Sequence, residues 1–536
     1  MVESTGSEST AAAPVEGDNP RLAILLAMAM FVLVVDTSLM NVSISAVVED
    51  LDTTVSGVQS AIALEALVSA AFILISSKVG DLIGRKRAYV LGLLGYAVGA
   101  LAMTLAQNLT AVVIFWAIFG GLGASLLLPA MQSLIHGNFD GAARKKAYAL
   151  VGASAAIAAA VGPLLGGFVT TFLSWRVGFL LEAVVIAVVL SGLKLVRDVP
   201  YTGPREVDAV GAVLSVIGMG GVVLGILVWQ EGGEYVGLLM AIGAVALGLL
   251  AWWLVRRKRE GKAALLDPDL FRFPHFRLGA SQQLLQQVTL GGAMIALPLF
   301  LQMSLEYNAM RAGLSLAPLS LSMFAVALLA SKKETIKRRP SEIVLAGFAL
   351  STLGLVLILP IVPRADSGWA LLVPLLIAGS GLGMLVSQLN NYTLSPIEEE
   401  RVSEAAGVNS AAGSFGLSFG LAMAGGILLA TLAFSFTHLT ESSDVIPAAQ
   451  QQQIADALEE DAEVMSTSQL EEQITGQPED VEREILRINS EANERALQAA
   501  LLVPIVASLL GCLNGFRMRR LPDPVAASSI EGLAFD

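Results

Sequence analysis

The chain has 536 residues, 55% hydrophobic and only 15% charged, with a formal net charge of -13 and a mean hydropathy of +0.70. That balance lies far outside the range of soluble globular domains and defines a polytopic membrane protein. The single cysteine, Cys512, excludes an intrachain disulfide, and no metal-site spacing, phosphate loop or ATPase motif accompanies the apolar runs. Neither an enzyme, a metal nor a cofactor is expected, and no nucleic-acid partner.

A helix rising 1.5 Å per residue needs about 20 apolar residues to cross about 30 Å of hydrocarbon. Residues 1–20 are polar, rich in Glu, Ser, Thr, Ala and Pro, and are expected to be a disordered tail, not a signal peptide. Six spans are predicted next, at 22–46, 55–79, 88–107, 110–134, 147–172 and 176–196, with a tight turn near Ser174. Two more follow at 209–229 and 235–255. The basic connection after them holds Leu265 to Phe271, expected as a short amphipathic piece on the membrane surface or a plain tether. Six further spans are predicted at 279–305, 310–331, 342–362, 369–393, 405–436 and 496–516, with a second tight turn near Asn308. The total is fourteen.

Lys and Arg cluster at Arg85 to Arg87, Arg144 to Lys146, Arg256 to Arg259, Lys332-Lys333, Lys337 to Arg339 and Arg517 to Arg520, all in alternate loops or the C-terminal tail. The positive-inside rule makes these cytoplasmic, with both termini inside. The acid excess between Glu441 and Glu494 then lies outside the cytoplasm. Within the loop 437–494, Ile454 and Leu458, then Val481, Ile485 and Ile488, recur at helical spacing. Two or three amphipathic helices are expected there, the last running into the fourteenth span. They are expected to form a solvated cap over the outer mouth, or to serve substrate capture or the docking of an envelope partner.

Asp36, Glu65 and Glu182 sit inside apolar spans that hold no comparably placed cation. An ionisable group in hydrocarbon is costly unless it faces a polar interior, so each is a functional candidate. Asp36 should lie roughly 20 Å along its helix from the cytoplasmic end. The alternative is a permanently neutral acid that only hydrogen-bonds a neighbouring helix. Gln282, Gln283, Gln286 and Gln287 form two i,i+4 pairs on the ninth span, marking adjacent faces. Together with Asn41 and Gln302 they are candidates to line a cavity, although amides also glue helices together.

The segment Ser77 to Arg87 ends one span and opens the next, combining an acid, glycines and cations in a tight turn. It is similar to the G-x-x-x-D-R-x-G-R-R/K loop of the major facilitator superfamily, matching at Asp81, Gly84, Arg85 and Lys86 while Ser77 and Leu82 depart from it. In the fifth span Gly162-Pro163-Leu164-Leu165-Gly166-Gly167 resembles the G-P-x-x-G-G element of the family's antiporters. Asp36 to Val42, Trp175-Arg176 with Phe179-Leu180, and Pro298 to Gln302 with Tyr307, Ala312 to Leu314 and Pro318 resemble segments of its fourteen-helix drug:proton antiporter group.

The resemblance implies an all-α membrane protein of the major facilitator fold. Its parts would be a six-helix bundle at 21–196, helices seven and eight in 197–256, a cytoplasmic linker at 257–278, a second bundle at 279–517 and a tail at 518–536. It implies an inner gate at Asp81, Gly84, Arg85 and Lys86, and a close-packed kink at Gly162, Pro163, Gly166 and Gly167. The pattern is broken in the fourth span, where the family's intramembrane Arg is Ala117, and in the thirteenth, where another is Gly413. That loss leaves Asp36, Glu65 and Glu182 as the proton or cation coupling candidates, on a region of the cavity where cation binding and proton release are linked. The implied function is secondary active efflux of amphipathic or cationic organic compounds, of the multidrug antiport type, by a monomer in a prokaryotic cell membrane. Its partners would be the bilayer, a small organic substrate and protons. Rival readings are an exporter of an endogenous metabolite or lipid-like molecule with altered coupling, and a carrier-derived receptor or scaffold.

Overall fold

The computed structural model describes residues 19–139, 141–198, 208–230, 233–330, 339–365, 367–394, 396–397, 401–446, 451, 470, 474 and 478–522. Its first six long helices are α1 (Pro20–Leu51), α2 (Val55–Ile83), α3 (Arg85–Met103), α4, α5 (Gly141–Phe172) and α6 (Trp175–Ser191). The fourth joins Leu109–Ala111, a π-helical stretch Val112–Gly120 and Gly121–Asn138. A hairpin of α7 (Ala209–Gln230) and α8 (Val236–Arg259) follows. The last six are α9 (Pro274–Leu299), α10 (Ala309–Ala330), α11 (Pro340–Ile358), α12 (Leu372–Leu394), α13 (Val402–Glu441) and α14 (Glu479–Arg519).

Among the described residues thirteen helices are long and apolar enough to cross a membrane. The remaining one, α3, has Arg85, Lys86 and Arg87 in its first turn, which shortens its apolar run. The helix order expected from the apolar runs is therefore observed.

Polar residues end the apolar runs where the chain must turn. Thr54 caps α2 by accepting from the Gly57 N–H at 2.9 Å, and Ser174 caps α6 through the Arg176 N–H at 3.3 Å. Asn308 does the same before α10, accepting from the Arg311 N–H at 2.9 Å. Pro298, which lacks an N–H, stands just before a second π-helical stretch, Phe300–Ser304, that extends α9.

The first group packs chiefly through α1 with α5 and α6, α2 with α4, and α3 with α4. The last group packs through α9 with α13 and α14, and through α12 with α10 and α11. Two seams join the groups, α5 against α10 and α2 against α13. The α7–α8 hairpin lies over the second seam, with α7 touching both α2 and α13.

The connection between α8 and α9 is packed, which corrects the expectation of a membrane-surface piece or a plain tether. Leu265, Leu266 and Leu270 are buried against Ile73 and Leu74 of α2, Leu250 and Leu254 of α8, Phe276 of α9 and Ala405 and Val408 of α13. Their apolar side chains find protein before they find lipid. Asp208 anchors this strap, its Oδ1 accepting from the Gly211 N–H and Trp253 Nε1, each at 2.9 Å, and its Oδ2 from the Leu265 N–H at 3.1 Å. Asp267 adds ion pairs of 2.8 Å to Lys258 and to Arg401 at the start of α13.

In the 437–494 region α13 runs to Glu441, and α14 carries Val481, Ile485 and Ile488 buried on one stripe before continuing as the last apolar helix. Ile454 and Leu458 lie outside the described residues, as do residues 1–18 and 523–536 of the expected tails.

Candidate functional site

Asp36 sits midway along α1 and is 1% exposed. Two neighbouring helices supply its hydrogen bonds. The Tyr96 hydroxyl of α3 donates to Oδ2, and Trp116 Nε1 of α4 donates at 2.8 and 2.9 Å to the two oxygens. Trp116 belongs to the π-helical stretch of α4, whose wider turn is common at functional sites. Bonds to an ionised carboxylate are each worth about 1.5–3 kcal/mol, so these donors offset part of the cost of burying a charge here. Neither Tyr96 nor Trp116 is among the residues singled out in the sequence. Their signal is weak, a polar-tipped ring within a run of Leu, Ile, Phe and Gly.

Glu65 of α2 and Glu182 of α6 are 8% and 4% exposed, and Asp36 is the charged neighbour that both feel. Tyr96 feels all three acids. The structure thus brings the three predicted carboxylates into one electrostatic cluster inside the first helix group. Their surroundings differ, since both carboxyl oxygens of Glu182 are buried without a hydrogen-bond partner among the described residues. Ala117 is itself fully buried, so the position that carries Arg in the family pattern is apolar and closed here. Asn41 is buried nearby in sequence, its Nδ2 donating to the Thr37 carbonyl at 2.7 Å.

An aromatic row leads away from this cluster. Trp116 packs edge-on to Phe179 at 6.3 Å and Phe179 to Trp175 at 6.0 Å. At the far end Trp175 Nε1 donates to Asp50 at 3.1 Å, and Arg176 pairs with the same carboxylate. The Trp-Arg pair of α6 therefore ties the ends of α1 and α6 together.

The turn between α2 and α3 has a partner that the sequence did not reveal. Gly84 has φ +99°, a conformation open to glycine, and a Cβ there would stand 2.8 Å from Asp198 Oδ2. Asp198 accepts the Lys86 N–H at 3.0 Å, at the positive end of α3, and Lys86 Nζ donates to the Val196 carbonyl at 2.7 Å. Arg85 is buried, while the side chain of Asp81 lies outside the described residues.

The fifth-helix motif works by close approach. A Cβ on Gly162 would meet Ser38 Cβ at 2.5 Å, one on Gly166 would meet Leu39 Cα at 2.8 Å, and one on Gly167 would meet the Ala309 carbonyl at 2.5 Å. Pro163 offers its carbonyl to the same seam, where a Cβ on Gly313 of α10 would stand 2.2 Å away. Thus α5 presses on α1 within its own group and on α10 across the seam. Gln302 closes the same side, its Oε1 accepting from Ser45 Oγ at 2.7 Å, and the Met310 N–H donates to Thr171 Oγ1 at 3.0 Å. These contacts lie at the ends of the helices opposite the basic clusters.

Towards the basic face a cavity of about 650 Å³ separates the two groups. Its walls include Met30 of α1, Leu128 and Gln132 of α4 and Tyr148 of α5. Facing them are Gln283 and Gln287 of α9, Asn390 of α12 and Asn409, Ser414 and Gly413 of α13. The predicted glutamines divide by face. Gln283 and Gln287 line the cavity, whereas Gln282 donates through Nε2 to the Gly511 carbonyl of α14 at 2.9 Å, and Gln286 is buried beside it. The expectation that Asn41, Gln282, Gln286 and Gln302 share this lining is thereby corrected, as is that of acids on its walls. Asp36, Glu65 and Glu182 are not among its lining residues. The reason is helical phase, since one residue's step of about 100° turns a side chain from cavity to neighbour.

Residues 26–421 match the model of the Major Facilitator Superfamily. The chain belongs to that family of membrane transporters. It is similar to a probable actinorhodin transporter of Streptomyces coelicolor, 26% identical over 75% of this chain and 71% of the relative. The multidrug resistance protein Stp of Mycobacterium tuberculosis is also 26% identical, over 76% of each chain. Among solved structures, a bacterial homologue of the human lysosomal transporter Spinster, inward-facing and unoccupied, superposes with a TM-score of 0.58 at 12% identity. The match covers 94% of this chain and 99% of that one, and it establishes the shared fold.

Proposed function

We propose that the protein is a proton-driven exporter of amphipathic organic compounds, working by alternating access between its two helix groups. The observation that carries this reading is the buried carboxylate cluster around Asp36, a set of proton-binding groups inside the first helix group. The relatives named as a probable actinorhodin transporter and a multidrug resistance protein support a carrier of organic compounds, and export is the direction proposed.

Within the cluster the donors are unequally shared, Asp36 accepting from Tyr96 and Trp116 and Glu182 from no described group. Asp36 is then the best-solvated acid of the cluster by protein donors, and Glu182 the least. A cavity on the basic side, with close contacts opposite, corresponds to an inward-facing carrier in the cell membrane with both termini cytoplasmic. In this reading the protein acts as a monomer, the turn around Gly84 and Arg85 is the inner gate, and the 437–494 region is available to an envelope partner.

The test is reconstitution into vesicles with a pH-sensitive dye inside. Substrate added to one side should move protons in the opposite direction. A protein that binds compounds but moves neither substrate nor protons would be a receptor or scaffold, and the exporter reading would fall.

A further inference from the structure

We infer that the molecule carried in the 650 Å³ cavity is an uncharged organic compound rich in hydrogen-bonding groups, not an organic cation. This rests on the export reading above and specifies its substrate class.

The described lining residues carry no acid and no base. Its polar members are amides and hydroxyls, with Gln132, Gln283, Gln287, Asn390 and Asn409 the amides. Each primary amide offers two donors and an acceptor, which suits hydroxyl, carbonyl and amide groups on a neutral ligand. Asn409 Nδ2 donates to Asn390 Oδ1 at 2.8 Å, and Asn409 Oδ1 is buried with no hydrogen-bond partner among the described residues. Burying a charge without a counter-charge costs several kcal/mol, and a cation in this cavity would meet none on the described walls. The other means of holding a cation, a cage of aromatic faces, is also missing, because Tyr148 is the one aromatic ring among the described lining residues.

The acids that could have served a cation are turned away. Asp36, Glu65 and Glu182 are 1%, 8% and 4% exposed and none is among the described lining residues. At position 413 the resemblance leads one to expect Arg, and this chain has Gly, with Gln283 Nε2 at 3.2 Å from where a Cβ would stand. The wall is neutral at the place where the family pattern would charge it.

The test uses the full chain in lipid nanodiscs and one naphthyl fluorophore bearing three alternative amide head groups: a tris(hydroxymethyl)methyl group, a trimethylammonium group and a carboxylate. The polyol should bind at least about tenfold more tightly than the cation or the anion, a difference of about 1.4 kcal/mol. Gln287→Glu, which sets an acid on the wall, should narrow or invert the polyol-to-cation ratio by about tenfold. Gln287→Leu should weaken the polyol without strengthening the cation, which separates lost hydrogen bonding from a general loss of fold. A cation bound as tightly as the polyol by the wild type, or an unchanged ratio in Gln287→Glu, overturns the inference. Cation-driven proton flux in vesicles, with none for the polyol, overturns it while leaving the export reading intact. Absence of binding and of flux for all three probes overturns both.

Discussion

Replacing Asp36 by Asn removes the ionisable group while keeping the shape of the side chain. An amide oxygen in the Oδ2 place can still accept from both Tyr96 and Trp116, but the new NH2 in the Oδ1 place faces the Trp116 N–H, a buried donor set against a donor. That costs about 1–3 kcal/mol, which a chain of this size tolerates in a membrane. The functional cost is of another kind. A difference of about one pH unit across a membrane is worth about 1.4 kcal/mol per exchanged proton, or about a tenfold ratio of substrate. In vesicles holding such a gradient, the wild type should concentrate its substrate about tenfold per proton coupled. Asp36→Asn should relax to a ratio near unity. Exchange of labelled for unlabelled substrate without a gradient should persist, showing that the carrier still folds and turns over. A variant that holds the wild-type ratio under the gradient would refute the assignment of Asp36 as the coupling group.

Other perturbations probe the frame. Gly167→Leu places a side chain where a Cβ already meets the Ala309 carbonyl at 2.5 Å, so it should disfavour closure of the α5–α10 seam by about 1–3 kcal/mol. In a Cys512→Ser background, a thiol reagent should then modify a cysteine at Gln287 more slowly than in the parent. Gly84→Ala combines a positive φ with crowding against Asp198 and should lower stability by about 1–3 kcal/mol, read by thermal unfolding in detergent. Asp267 provides a pH test. Burial alone would raise its carboxyl, but Lys258, the Asp269 N–H and Arg401 together hold it below the usual value. Its contribution to strap docking is therefore present at neutral pH and lost as the pH falls through that lowered value. Hydrogen exchange at Leu265, Leu266 and Leu270, corrected for intrinsic rates, should rise on acidification and should already be raised in Asp267→Asn.

The helices were legible because each apolar run is bounded by Pro, Gly, Asn or charge, and the bilayer sets their length. Three acids at odds with those runs marked the region of interest. What surrounds them was not legible, because Tyr96 and Trp116 lie on other helices and meet Asp36 only after α3 and α4 pack. The role of the 265–271 segment was hidden for the same reason. Its leucines pair with residues on α2 and α13, distant in the chain, and a local pattern cannot distinguish a lipid-facing leucine from one covered by protein. The four glutamines of α9 fell between these cases, since their spacing defined two faces but not which one meets the cavity.

The cavity and the carboxylate cluster occupy separate compartments, one between the helix groups and one within the first of them. A carrier whose proton and cargo share one site couples them by competition, each displacing the other. On the proposed reading, cargo in the cavity and protons on the cluster occupy separate places, and the coupling between them is conformational: each shifts the balance between the two facing states, and linkage makes the effect reciprocal. Rising substrate should then saturate transport without reversing inhibition by a proton gradient of the wrong sign. In kinetic terms pH should act on the maximal rate and on the population of facing states, not as a simple competitor for the binding pocket.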